Sequence, residues 1–283
     1  MLNKNVETFL GCDATFDDAR CVLFGAPFDS TASYRPGARF GCRAMRAESY
    51  GIETYSPYLD RDLTDIAVFD AGDLELCIGD AAVALSQIEA FTAAIMAAQK
   101  RPVLLGGEHL VTLGALRALI QRHPELHIIH FDAHADLRDD YLGAKLSHAT
   151  VMRRAWDLLG DGRIYQFGIR SGDRSEFAWG SGHVHTQRFN FDGLSDIAGA
   201  LGGSPVYFTL DLDVLDSSVF PGTGTPEAGG VSFDQLLSAA RTLSGLNIVG
   251  FDMVELAPEY DRSGVSTALA CKLLRELLLI FNQ

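Results

Sequence analysis

The sequence predicts an α/β fold built on a parallel sheet with helices on both faces. Short runs rich in apolar and β-branched residues recur along the chain, and they are apolar on both faces, as strands of a doubly covered sheet are. Amphipathic stretches of helical length separate them, the alternation expected of such a sheet. A third observation concerns position. Ionisable groups cluster where three of the runs end, and in parallel sheets ligands bind beyond the carboxyl ends of the strands.

The elements follow in order. CVLFGA (21–26) reads as the first strand. The loop after it, Ala26–Gly41, is long and poor in helix signals, and Cys42–Thr54 reads as a helix. DIAVFD (65–70) and RPVLLGG (101–107) are strands around a helix at Ala81–Gln99. Val111–Arg122 reads as a helix, HIIHFDA (127–133) as a strand and His148–Leu159 as a helix. IYQFGIR (164–170) and HVHT (183–186) are strands, with a helix at Asp192–Leu201. PVYFTLDLD (205–213) and NIVGFDMVEL (247–256) flank a helix at Ser232–Leu243, and Val265–Phe281 is the last helix. Ser232 with Gln235 has the capping-box pattern. A closed eightfold barrel also fits the alternation, but the early loop is longer than a regular barrel needs. No linker or repeat divides the chain, so one domain is expected over 1–283.

Apolar residues are 47 % of the 283 and charged residues 21 %, enough to bury a sizeable core. The formal charge of −14 argues against nucleic acid and anionic membrane partners and weakly favours a small cationic substrate. Five cysteines are scattered singly, without a CxxC pair, which predicts reduced thiols rather than a thiolate zinc site. The first twenty residues lack the basic and apolar regions of a signal peptide. No apolar run reaches the roughly 18–20 residues of a membrane span. A cytoplasmic location is expected.

Six residues carry the chemistry. His109 stands in LLGGEHL, Asp132, His134 and Asp136 in IIHFDAHADL, and Asp211 and Asp213 in YFTLDLDVLD. In extended backbone, side chains at i, i+2 and i+4 face one way, so each row is expected to project together. Convergence of four carboxylates and two imidazoles would hold two divalent cations about 3.5–4 Å apart. A carboxylate can bridge two metals and an imidazole cannot. Asp132 and Asp211 are therefore expected as bridges, with His109 and Asp136 completing one site and His134 and Asp213 the other. The oxygen-rich donor set favours Mn²⁺ over Zn²⁺ and leaves Co²⁺, Ni²⁺ and Fe²⁺ open. Two Lewis acids lower the pKa of a shared water from 15.7 towards roughly 7, which predicts a hydrolase.

GGEH, HFDAHAD and TLDLDVLD, in this order, resemble the metal motifs of the ureohydrolase family, that of arginase and agmatinase. The resemblance extends from about Gly25 to Gln283. It implies a three-layer α/β/α domain with an eight-stranded, mostly parallel sheet, a two-manganese centre, cleavage of a guanidino or amidino carbon, and trimers or hexamers. By resemblance, His148 in LSHATV is the proton-shuttling catalytic histidine, with Asp136 a second proton donor. Glu255 in DMVELAP receives the guanidinium, and Thr225 in PGTGTPEAGG contacts the substrate.

GAPFDSTASYRPGARFGCRAMR resembles the agmatinase subgroup, although Cys42 stands where Pro is usual. Arginases place Asn where Arg138 stands here. Agmatine, hydrolysed to putrescine and urea, is therefore the expected substrate. Guanidino acids such as 4-guanidinobutyrate or 3-guanidinopropionate are the nearer rivals, and formimidoylglutamate is more remote. In the loop Leu137–Ser147, Asp139 or Asp140 would attract a distal ammonium, and Arg138 or Lys145 a carboxylate. Asp139 is the acidic group assigned to substrate binding. Two readings lie outside the family: a two-metal phosphatase, which needs converging Arg or Lys groups that no motif supplies, and a catalytically silent metal-binding subunit.

Overall fold

The computed structural model describes residues 7–282, so both ends of the expected 1–283 domain lie outside the described residues. Eight strands form one sheet in the order β4-β1-β5-β10-β9-β6-β7-β8. They are β1 (Cys21–Ala26), β4 (Val68–Asp73), β5 (Arg101–Gly106), β6 (His127–Phe131), β7 (Ile164–Ile169), β8 (His185–Arg188), β9 (Pro205–Asp211) and β10 (Asn247–Val254). Every neighbouring pair is parallel. The ends β4 and β8 do not pair with each other, so the sheet is open and the barrel is excluded. A separate two-residue hairpin, β2 (Tyr55–Ser56) with β3 (Arg61–Asp62), was not apparent in the sequence.

Among the described residues, eight α-helices cover the two faces: α1 (Gly41–Glu48), α2 (Ala81–Ala97), α3 (Thr112–Arg122), α4 (Val151–Leu159), α5 (Arg174–Gly180), α6 (Leu194–Leu201), α7 (Phe233–Thr242) and α8 (Val265–Phe281). The strand residues sort between two cores by alternation. Cys21 and Leu23 of β1 join Met45, Leu236, Leu274 and Leu278 from α1, α7 and α8. Val22 and Phe24 join Ile88, Leu116 and Met152 from α2, α3 and α4. The result is the expected three layers. A fully buried Leu or Phe stabilises by roughly 1.5–3 kcal/mol, and α8 is buried almost throughout its length.

The strand order explains where the polar groups meet. β5, β10, β9 and β6 are consecutive neighbours at the centre of the sheet, and their carboxyl ends lead into His109, Glu255, Asp211 and Asp132. The long loop after β1 folds back over this edge. Phe28 O accepts from Glu108 N at 2.8 Å, and a Cβ on Gly107 would lie only 2.0 Å from that oxygen. The paired glycines of LLGGEHL thus allow two backbones to touch. The Asp29 carboxylate pins the loop by accepting from Gly37 N and pairing with Arg39.

Candidate metal centre

The structure brings all six expected metal-binding residues to one place, by a local geometry that is only in part the one expected. β6 ends at Phe131, and the chain bends at Ala133 before His134 makes a single parallel bridge to Ser171. Asp136 has φ 52°, a left-handed conformation uncommon outside glycine and recurrent at functional sites. Its carbonyl accepts from Met152 N and Arg153 N at the start of α4. Asp213 lies on a 3-10 turn, Leu212–Val214, whose amino end is capped by Asp211 Oδ1 accepting from Asp213 N at 2.9 Å. Asp132 and His134 continue past β6 with His134 bridging in parallel to Ser171, and Asp211 keeps extended backbone. Asp136 and Asp213 instead reach the centre through a left-handed residue and a capped turn.

His109 Nδ1 lies 3.1, 3.2 and 3.4 Å from oxygens of Asp132, Asp211 and Asp136. His134 Nδ1 lies 2.9 Å from Asp213 Oδ2 and 3.6 Å from Asp132 Oδ1. Asp132 presents a different oxygen to each group, as a bridging carboxylate would. Asp211 directs Oδ2 to the His109 group, while its Oδ1 accepts from the Asp213 amide.

A cation fits this arrangement. His109 Nε2 is 2.9 Å from Thr209 Oγ1, and the Thr209 hydroxyl donates its proton to Asp252 Oδ1 at 2.6 Å. Thr209 therefore accepts from His109, and the ring proton is on Nε2. That leaves Nδ1 as the nitrogen turned on the three carboxylates, the position at which either a proton or a cation is held. Ligands about 2.1–2.2 Å from a shared ion and at right angles stand about 3 Å apart, close to the spacings found.

The electrostatics agree. Burial, then the charge of Asp132, pushes Asp136 up to about 7. Burial, with Asp213 and Asp132, raises Asp211 well above the usual carboxylate range. Burial opposes the charge on His109, but Asp132, Asp136 and Asp211 outweigh it and raise that ring well above its ordinary value, so Nδ1 carries a proton that a bound cation would displace. So many buried acids in contact lack positive charge, and divalent ions supply it.

A cavity of about 190 Å³ opens on the centre. Glu255, His148, Thr225, Ser33, Tyr141 and Arg138 are among its lining residues. Glu255 follows β10 at φ 66°. Its Oε1 accepts from His109 N at 2.8 Å, and its Oε2 accepts no hydrogen bond among the described residues. Burial and the charge of Glu108 raise its pKa, so a cation in the cavity would be welcome. His148 N donates to Thr31 Oγ1 at 3.0 Å, and its ring nitrogens lie 3.3–3.4 Å from the hydroxyls of Thr31, Ser147 and Ser33. Burial pushes this ring down to about 4, leaving it neutral. Thr225 Oγ1 is 3.5 Å from Asp213 Oδ2.

The acidic loop residues are elsewhere. Asp139, expected at the substrate, is exposed and pairs with Arg154 at 2.6 Å. It does not line the cavity, because α4 presents Arg153 and Arg154 to it from behind the loop. Asp140 and Lys145 are exposed and also stand outside the lining. Arg138 does line it, but is paired with Asp173 at 3.2 Å and Glu176 at 3.4 Å. Two groups escaped the sequence reading. His130, two residues before Asp132 on the same strand face, is fully buried with Nε2 at 2.7 Å from Asp132 Oδ2. Asp252 is fully buried and accepts from Thr112, Tyr207 and Thr209.

A model of the arginase family matches residues 19–280. The agmatinase of Bacillus cereus is 45 % identical over 278 residues, covering 96 % of each chain. That of Bacillus subtilis is 44 % identical over 279 residues, covering 97 % of this chain and 96 % of its own. The crystal structure of a candidate agmatinase from Clostridium difficile superposes with a TM-score of 0.93 at 48 % identity, covering 95 % of this chain and 99 % of that one. The chain belongs to the arginase family of ureohydrolases, in its agmatinase-like subgroup.

Proposed function

We propose that this chain hydrolyses agmatine to putrescine and urea with two bound divalent cations, Mn²⁺ foremost. The observation that carries the reading is His109 Nδ1 turned on three carboxylates at the floor of a cavity that also exposes Glu255. Similarity to agmatinases over almost the whole chain supports the choice of substrate. In this reading His109, Asp132, His134, Asp136, Asp211 and Asp213 hold the ions. When bound, the ions supply Lewis acidity, which brings a water's pKa towards roughly 7.

The chain's own residues do the rest. Glu255 holds the guanidinium through paired charge-assisted hydrogen bonds and so fixes its carbon over the centre. Thr225 contacts the substrate beside Asp213. Amines leave poorly unless protonated, so a general acid is required. His148, neutral at working pH, takes up and passes a proton through its ring nitrogens, and Asp136 is the second group placed to donate one. The distal ammonium of agmatine would meet Glu176, which lines the cavity beside Arg138. The proposal extends to one domain over 1–283, self-association as a trimer or hexamer, and a cytoplasmic location, where the five free thiols would stay reduced. Among the described residues, no helix is long and apolar enough to cross a membrane.

The test is urea release from agmatine, 4-guanidinobutyrate, arginine and free guanidine with added Mn²⁺. Agmatine should be preferred, and Glu255→Gln should keep both ions while lowering kcat/KM by about 10–150-fold, the weight of roughly 1.5–3 kcal/mol for a hydrogen bond to a charged group. No urea from any of the four with metal bound removes the guanidino assignment. Preference for the guanidino acid transfers it to the rival substrate.

A further inference from the structure

Resting on the reading of a two-cation centre, we infer that His130 is a positioning residue, whose Nε2–H fixes the bridging carboxylate of Asp132, with Gln166 and Thr186 deciding which ring nitrogen carries that proton. The three residues are direct cross-strand partners. Thr186 on β8 faces Gln166 on β7, and Gln166 faces His130 on β6. The same row continues through Thr209 on β9 to Asp252 on β10. One line of the sheet, just beneath the centre, is thus polar across five strands.

The proton assignment follows from donors and acceptors alone. Gln166 Nε2 is 2.7 Å from Ala135 O. A carbonyl only accepts, so the amide nitrogen must face it. The other amide atom, Oε1, accepts from Thr186 Oγ1 at 3.0 Å, which agrees. Gln166 Nε2 is also 3.0 Å from His130 Nδ1, and an amide nitrogen only donates. His130 Nδ1 is therefore an acceptor, the ring is neutral, and its one proton is on Nε2. That proton points at Asp132 Oδ2, 2.7 Å away.

Two consequences follow. His130, His109 and Asp132 offer ligand atoms within 4.8 Å of one another, which on spacing alone is a cation site. The hydrogen bonds exclude His130 from it, because one nitrogen lends its lone pair to Gln166 and the other bears the proton. Instead, His130 and His134 N, the latter 2.6 Å from Oδ1, hold one oxygen each of Asp132. The plane of the carboxylate is set before a cation arrives, and each oxygen keeps a lone pair for one. Outer partners of this kind orient ligands and tune their basicity.

The test combines nitrogen-15 NMR of the wild-type imidazoles with Mn²⁺ binding measured from the resonance of the free ion. The proton of His130 should be on Nε2 in metal-free protein and remain there on adding Zn²⁺, a diamagnetic ion that imidazole binds well. A proton on Nδ1, or a nitrogen shift characteristic of ligation on adding Zn²⁺, overturns the inference. This measurement needs no variant, so it stands even if a substitution prevents folding. His130→Leu should still bind two Mn²⁺ per chain, with affinity lowered by about 10–100-fold. His130→Gln, whose amide N–H can reach Asp132, should recover most of the loss. Loss of one ion from both variants would make His130 a ligand, and unchanged affinity in His130→Leu would leave it a packing residue. Wild-type protein binding fewer than two Mn²⁺ would instead remove the centre itself, whatever the nitrogen spectrum shows.

Discussion

At the scale of single residues, function here is fixed by which atom carries a proton. His109 is aimed by Thr209, and His148 is kept neutral by burial. The latter has a consequence for stability. A ring with a folded pKa of about 4 and an unfolded value near 6.5 binds its proton more readily in the unfolded chain. Its neutral form contributes stability that is fully present above about 6.5 and is lost as the pH falls towards 4. Replacing it by Gln removes this dependence. In urea unfolding of metal-free protein, the stability of His148→Gln relative to wild type should rise as pH falls from 6.5 to 4. A difference that does not change with pH contradicts the burial of the ring. Arg138 shows how a residue's role depends on partners distant in sequence. Its charge in the cavity wall is offset by Asp173 and Glu176, which the loop sequence around it does not reveal.

At the scale of elements, most of the sheet strands were legible because strands covered on both faces are continuous apolar runs, whereas the edge strand β8 (HTQR) is polar and was marked only by the alternation of HVHT, two residues early. Boundaries moved where turn chemistry intervened. The expected 65–70 strand begins instead at Val68, because Asp62 caps a 3-10 turn at Leu63–Asp65. The expected 42–54 helix stops at Glu48 and tightens into a 3-10 turn ending at Gly51. Helix α5 was missed because it has only seven residues, although its Asp173–Glu176 capping box was present in the sequence. The Ser232–Gln235 box formed as expected. The six metal-binding candidates were legible because strand ends are where sheets place ligands. His130 and Asp252 were not, since a polar residue within an apolar strand declares no partner. The glycines of the β5 turn give a prediction. Gly107→Ala forces a Cβ against Phe28 O and should cost about 1–3 kcal/mol by overpacking. Gly79→Ala, with open space around it, should change stability by less than about 0.5 kcal/mol. Equal thermal shifts for the two would show that the loop does not rest on the turn.

At the scale of the molecule, a strongly acidic chain keeps several of its acids in contact at the middle of an open parallel sheet. The order of β5, β10, β9 and β6 brings together groups more than a hundred residues apart, and alternation hands each strand's side chains to one of two cores. Such a centre is costly without positive charge, and the account holds that two cations provide it. The most direct test is equilibrium dialysis of purified, metal-stripped protein against Mn²⁺, with bound metal counted per chain. Two ions per chain for wild type, falling to one or none for Asp132→Asn with loss of turnover, is the result expected. One ion or none in the wild type, or two retained in Asp132→Asn, would contradict it.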